Sequence, residues 1–292
     1  MKVWFVGMEF AWNVDRRIRT PAGEVACGTC GEGEDLILAH GWPWSSFCWH
    51  RIIEPLARRF RVHWYDMPGY GQSEMPGTRP TSLDVQGEVF AYMLDTLKLD
   101  RPHVLGHDFG GAVSLRAHLL HGCEYRRYFL MNVVALRPWG SEFFDHVGRH
   151  AEAFRGLPPA IHKAVVAAYI QGALTTEIPH GDFEQLCAPW LTDEGRNSFY
   201  NQFAQADERY TAEFEGRLSE VQSPVKVLWG ERDPWIPLAR GRRLASLLDA
   251  ELAVIEGAGH LPQLEAPHKV VRQVLAFLDD EPGADEGRAN GR

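Results

Sequence analysis

The stretch Pro102-His103-Val104-Leu105-Gly106-His107-Asp108-Phe109-Gly110-Gly111 constrains the fold more than any other part of the chain. Its first four residues read as an apolar strand, and Gly110-Gly111-Ala112-Val113-Ser114-Leu115 opens a helix, so strand must become helix within a few residues. Glycines on both sides of Asp108 permit the strained backbone that so sharp a turn demands. The free N–H groups and positive dipole end of the helix favour an anion on the turn, and the residue there is an aspartate. A strand feeding a helix in this way is the repeating unit of α/β proteins. At 292 residues and 45% hydrophobic content, the chain can bury one large core of that kind.

The surrounding sequence repeats the alternation. Arg17-Ile18-Arg19-Thr20 and Glu24-Val25-Ala26-Cys27 flank Pro21-Ala22-Gly23 as a hairpin-like opening. Leu36-Ile37-Leu38-Ala39 is wholly apolar, as expected of a strand covered on both faces. An amphipathic helix is expected over residues 49–60, through Ile52, Ile53, Leu56 and Ala57, followed by the strand Arg61-Val62-His63-Trp64-Tyr65 and a turn-rich loop over 66–73. Ser82-Leu83-Asp84 opens a helix towards Leu97, and the helix after Asp108 runs to about His121. The strand Tyr128-Phe129-Leu130-Met131-Asn132-Val133 follows. Such alternation implies right-handed crossovers and a mostly parallel central sheet flanked by helices.

From residue 136 to 218 no strand run occurs, whereas 146–155, 160–174 and 194–207 read as helices, broken by Pro158-Pro159 and Pro179. Strands resume at Val225-Lys226-Val227-Leu228-Trp229 and Leu252-Ala253-Val254-Ile255, and a last helix covers 267–278. The expected organisation is an α/β core over 1–135, an inserted helical cap over 136–218, the rest of the core over 219–280 and a disordered polar tail over 281–292.

Composition narrows the function classes. A net charge of −9 argues against nucleic acid as a partner. No apolar run approaches the roughly 20 residues that cross a bilayer, and Met1-Lys2-Val3-Trp4-Phe5-Val6-Gly7 is too short for a signal peptide's apolar region, so no membrane partner and a cytoplasmic location are expected. Five cysteines, an odd number, suggest free thiols. Cys27-Gly28-Thr29-Cys30 has redox or zinc-ligand spacing but no second pair, and reads instead as a turn between an early strand and the next. No metal and no cofactor are expected. Cys48, Cys123 and Cys187 read as small buried apolar residues, and Arg58-Arg59, Arg126-Arg127 and Arg242-Arg243 as solvated surface.

The chemistry-bearing residues fall at strand ends. Gly106-His107-Asp108-Phe109-Gly110 has the form G-x-S-x-G with aspartate in the serine's place. A carboxylate attacking an ester would give a reactive mixed anhydride, whereas attack on a saturated carbon gives an ordinary alkyl ester, so Asp108 argues for carbon–heteroatom displacement. Gly230-Glu231-Arg232-Asp233-Pro234-Trp235 and Gly257-Ala258-Gly259-His260-Leu261-Pro262 each follow a strand, where open α/β sheets gather catalytic groups. In His40-Gly41-Trp42-Pro43, Gly41 permits an unusual turn that aims the Trp42 N–H inward. With the Phe109 N–H it makes a candidate oxyanion hole. His40 reads as a buried imidazole bracing that loop.

These motifs, together with Asp66-Met67-Pro68-Gly69-Tyr70-Gly71-Gln72-Ser73 and Trp229-Gly230-Glu231-Arg232-Asp233, resemble the α/β-hydrolase superfamily, in the branch that holds epoxide hydrolases and haloalkane dehalogenases. The chain order of Asp108, Asp233 and His260 is that superfamily's order. The resemblance implies a covalent ester on Asp108, water activated by His260, and Asp233 orienting that histidine.

Three leaving groups stay open. Similar epoxide hydrolases protonate the epoxide oxygen with cap tyrosines, for which Tyr169, Tyr200 and Tyr210 are candidates, Tyr200 and Tyr210 being favoured. Haloalkane dehalogenases hold halide with two N–H side chains; Trp42 matches one position, but Phe109, with no side-chain donor, takes the other. Fluoroacetate dehalogenases place arginine beside the nucleophile, where Phe109 and Gly111 carry no charge. Epoxide hydrolysis to a diol is therefore the leading expectation, with haloalkane or haloacid dehalogenation as the alternative. A non-catalytic ligand sensor on the same scaffold is the reading of another class. The expected partners are a small apolar organic substrate and water, with a homodimer left open; Trp139, Phe143, Phe144 and Trp190 are candidates to line the pocket.

Overall fold

The computed structural model describes residues 12–75, 77 and 79–279. The segment 1–7 and the expected tail over 281–292 lie outside the described residues. The first strands are β1 (Arg16–Thr20), β2 (Gly23–Cys30) and β3 (Glu34–Ala39), followed by α1 (His50–Ala57), β4 (Phe60–Tyr65), α2 (Leu83–Leu97), β5 (His103–His107), α3 (Phe109–His121) and β6 (Tyr128–Met131). Helices α4 (Glu142–Arg149), α5 (Ala151–Arg155), α6 (Pro159–Gln171), α7 (His180–Cys187), α8 (Asp193–Gln205) and α9 (Arg209–Glu215) come next. The chain then forms β7 (Val225–Gly230), α10 (Leu238–Leu247), β8 (Glu251–Ile255), α11 (Pro262–Glu265) and α12 (Pro267–Leu278).

Among the described residues the strands form one eight-stranded sheet in the order β1-β2-β4-β3-β5-β6-β7-β8. β2 runs antiparallel to β1 and β4, and the strands from β4 to β8 are parallel. All five residues of β5 are buried, as are the last four of β3, because helices cover both faces. The order reverses at β3: the chain leaves it for β4 on one side and later enters β5 on the other. A crevice opens outside the carboxyl ends of strands at such a switch point. Register brings Ala39 of β3 beside Gly106 of β5, so the loops carrying Trp42 and Asp108 leave the sheet together.

Helix limits follow local chemistry. α1 ends at Ala57 rather than continuing to Phe60, which opens β4. It buries Ile52, Ile53, Leu56 and Ala57, largely against α12, and each of the three larger side chains stabilises by about 1.5–3 kcal/mol. The helix expected over 146–155 begins earlier, because Ser141 caps it by accepting the Phe144 N–H and Glu142 and Asp145 occupy its first turn. It breaks at His150 into α4 and α5. Buried Arg116 of α3 pairs with Glu213 at 2.6 Å and donates to the Tyr210 carbonyl, which ties α9 to α3.

Two expectations change here. Cys27-Gly28-Thr29-Cys30 is not a turn: β2 runs on through Cys30, paired with β4 from Cys27↔Tyr65 to Cys30↔Val62. Residues three apart on a strand point to opposite faces, so these thiols cannot act as one pair. Arg127 is not solvated surface but buried, its guanidinium carbon 5.3 Å from the Phe277 ring centroid.

Candidate active site

The residue at the tip of the turn between β5 and α3 is Asp108, with φ 51° and ψ −122°. That backbone is strained for any residue with a side chain. It is held because other segments of the chain approach where only glycine fits. A Cβ on Gly110 would sit 2.0 Å from the Ala39 carbonyl oxygen, and one on Gly41 would sit 2.3 Å from Asp108 Oδ1 and 2.5 Å from Phe109 N. Gly41, the Asp108 carboxylate and the first N–H of α3 therefore meet at one point. The Trp42 N–H donates to Asp108 Oδ1 at 2.7 Å.

The other carboxylate oxygen faces a histidine. His260 Nε2 lies 3.3 Å from Asp108 Oδ2, and Nδ1 donates to Asp233 Oδ2 at 2.9 Å. All three side chains are buried. Asp233 is itself fixed: Oδ1 accepts the Trp235 and Ile236 N–H groups at 2.8 and 2.9 Å, and Oδ2 also accepts Asn132 Nδ2 at 2.7 Å. Burial alone would raise the Asp233 pKa, but His260, Asn132 and the Ile236 N–H hold it below the ordinary carboxylate value. Burial likewise works against a charged His260, yet Asp233 and Asp108 together push its pKa up to about 10. The two acidic side chains on either side of the ring thus favour its protonated form. Trp44 and Trp235 stack at 5.7 Å, their ring centroids 6.2 and 5.0 Å from that of His260.

Asn132 and His107, which had no role assigned from the sequence, and His40, expected to brace the first loop, complete the support. Asn132 follows β6 with φ 47° and accepts the Gly230 N–H, so one side chain joins the loops after β6 and β7. Its place at the carboxyl end of a parallel strand was the available signal. His107 is fully buried with its pKa pulled down to about 3, first by burial and then by His260. Being neutral, it donates from Nε2 to the His260 carbonyl at 2.7 Å. His40 donates from Nδ1 to the Gly41 carbonyl and accepts the Met67 N–H on Nε2, bracing the first loop against the loop that begins at Asp66.

A cavity of about 330 Å³ opens on Asp108, and Trp42, Phe109, Phe144, Tyr169 and Trp235 are part of its lining. Of the three tyrosines, Tyr169 of α6 lines it, and its hydroxyl accepts the Trp42 indole N–H at 3.1 Å. Burial raises the Tyr169 pKa, against the indole hydrogen bond and with help from Asp108, so the phenol stays protonated. Tyr200 and Tyr210, the favoured pair, are elsewhere. The Tyr200 hydroxyl pairs with His162 Nδ1 at 2.9 Å, and that of Tyr210 accepts from Arg209 at 2.6 Å. Among the pocket candidates, Phe144 and Trp139 line the cavity. Trp190 sits behind Trp42, donating to the Pro43 carbonyl at 2.8 Å, and Phe143 is 42% exposed.

Among the described residues, no cluster of three or more His, Cys, Asp or Glu could hold a metal ion, and no helix is long and apolar enough to cross a membrane. The five cysteines are free; Cys27, Cys48 and Cys187 are buried, and Cys30 and Cys123 half-buried.

A model of the alpha/beta hydrolase family matches residues 36–273. The crystal structure of an alpha/beta hydrolase fold protein from Burkholderia ambifaria superposes with a TM-score of 0.89 at 44% identity, covering 91% of this chain and 98% of that one. A 2-hydroxy-6-oxononadienedioate/2-hydroxy-6-oxononatrienedioate hydrolase of Dechloromonas aromatica is 27% identical over 85% of this chain and 88% of its own length. A pimeloyl-[acyl-carrier protein] methyl ester esterase of Yersinia pseudotuberculosis is 30% identical, over 86% of this chain and 96% of its own.

Proposed function

Because this chain belongs to the alpha/beta hydrolase family, we propose that it is a hydrolase working through an alkyl ester on Asp108, and that its reaction is the opening of an epoxide to a diol. The observation that carries this reading is the aspartate itself, with Oδ1 on the Trp42 N–H and Oδ2 beside His260. The relatives' names speak of ester and oxo-acid substrates, but a carboxylate attacking a carbonyl would give a mixed anhydride. A saturated carbon is the electrophile that suits Asp108.

In the first step Oδ2 attacks one epoxide carbon and the C–O bond breaks. The departing oxygen takes the Tyr169 proton. The hydroxyl is free to donate because its oxygen already accepts the Trp42 indole N–H. Alkylation removes the Asp108 charge, one of the two that keep His260 protonated. The imidazolium then gives its proton back to the Tyr169 phenolate and becomes a base. In the second step His260 takes a proton from water, the hydroxide attacks the Asp108 carboxyl carbon, and the Trp42 and Phe109 N–H groups hold the developing oxyanion. Collapse expels the diol and restores the carboxylate–imidazolium pair, so the sum is epoxide plus water. In this scheme residues 136–218 act as a cap, supplying Trp139, Phe144 and Tyr169 to the cavity.

The halide alternative is less well served. The Trp42 indole N–H is engaged by Tyr169, and Phe109 offers no side-chain donor. A single turnover of styrene oxide in heavy-oxygen water tests the proposal. The label belongs in the Asp108 carboxylate and not in the first diol released; label in that diol, with none on Asp108, means direct hydration and overturns it.

A further inference from the structure

Asp108 and Arg240 are the charged side chains lining the cavity among the described residues. Arg240 lies in the first turn of α10, and it lines the cavity together with Leu244 of the same helix and Pro237, the residue immediately before it. Its guanidinium is held in place by backbone: Nη1 donates to the Arg137 carbonyl at 2.7 Å and Nη2 to the Pro138 carbonyl at 2.8 Å. Pro138 is itself part of the lining. These two bonds fix the fork and leave its charge without an opposite partner.

The neighbouring arginines differ. Arg137 and Arg243 share Glu215, at 2.9 and 3.6 Å. Arg240 makes no ion pair among the described residues. An arginine anchored on carbonyls, half-buried against an apolar cavity in a chain of net charge −9, is placed to take an anion. The positive end of α10 adds to the attraction, and Ser141, on the same lining, carries a further hydroxyl donor.

We propose that Arg240 is a carboxylate-binding subsite, so that the substrate is an apolar chain with an epoxide for Asp108 at one end and a carboxylate for Arg240 at the other. This assignment rests on the cavity being the substrate site of the proposed reaction. A volume of 330 Å³ equals that of about eleven liquid waters, or about ten heavy atoms of ligand, the size of a medium-chain fatty acid. The charge of the guanidinium, which the two carbonyls do not neutralise, selects carboxylate over a neutral amide of the same shape.

Octanoate and octanamide, matched in size and differing in charge, test this without turnover. Binding to the intact chain is followed by the fluorescence of Trp42, Trp139, Trp229 and Trp235, which line the cavity. Octanoate is expected to bind about tenfold more tightly than octanamide, as a charge-assisted hydrogen-bond pair warrants. Arg240→Gln should remove that preference while leaving octanamide affinity unchanged, and Arg240→Lys should restore part of it. Equal binding of the two probes, a preference that survives Arg240→Gln, or binding of neither overturns the subsite. Turnover is read separately, with the terminal epoxides of octanoic acid and of octane. Absence of turnover with octanoate still preferred counts against the epoxide chemistry and leaves the subsite standing.

Discussion

Trp42 holds Asp108 and Tyr169 at once: its backbone N–H donates to Asp108 Oδ1 at 2.7 Å and its indole N–H to the Tyr169 hydroxyl at 3.1 Å. One residue of the first loop thus links the carboxylate on the turn after β5 to the phenol on α6. The proposed nucleophile and the proposed acid both line the one cavity.

Tyr169→Phe is expected to lower kcat by about 10²-fold with little change in KM, the usual size of a general acid's contribution. Tyr200→Phe and Tyr210→Phe should stay within about threefold, since their hydroxyls bond to His162 and Arg209. Steady-state kinetics on styrene oxide compares the three, and a larger loss at Tyr200 or Tyr210 than at Tyr169 refutes the assignment.

Gly41→Ala should cost about 10²–10³ in kcat, because the new methyl would displace the Asp108 carboxylate or the donors around it. Wild-type activity in that variant would show that the close approach of the two loops does not matter.

Asn132→Ala leaves Asp233 without one donor and the Gly230 N–H without its acceptor, inside a buried network. A loss of about 1–3 kcal/mol in urea unfolding is expected, and an unchanged midpoint would contradict the network as described.

His260 carries a pH signature. Its folded pKa of about 10 lies above the ordinary 6.5. The stability it contributes is therefore complete below about pH 6.5 and fades as pH rises towards 10. Asp233 acts in the opposite sense: its lowered pKa stabilises above the unfolded carboxylate value, about 3.9, and that contribution disappears in acid. The Tm gap between wild type and His260→Gln should narrow from neutral pH to pH 10; a gap that widens over this range would mean that the imidazole is neutral at rest.

The parallel sheet and the placement of Asp108, Asp233 and His260 were legible because each depends on local signals: an apolar run, then glycine or a turn-former, at the end of a strand. The choice among tyrosines was not. Which face of α6, α8 or α9 turns towards Asp108 is decided by how those helices dock, and burial does not single out the right residue: Tyr200 is fully buried and Tyr169 only half-buried. Helix α7 is not expected because Pro179 reads as a breaker, whereas it stands immediately before the helix, where proline is tolerated. The run at Cys27–Cys30 looked like a turn because its glycine and cysteine spacing is local, while the pairing with β4 that extends the strand is not. Burial of Arg127 likewise needs Phe277, from the far end of the chain.

The covalent route is tested most directly by intact-protein mass spectrometry of His260→Gln after exposure to styrene oxide. Without the imidazole the ester should form and persist, giving a chain heavier by one styrene oxide, with the added mass on the peptide containing Asp108. An unmodified chain, from an epoxide that the wild-type protein consumes, would contradict a bond between Asp108 and substrate.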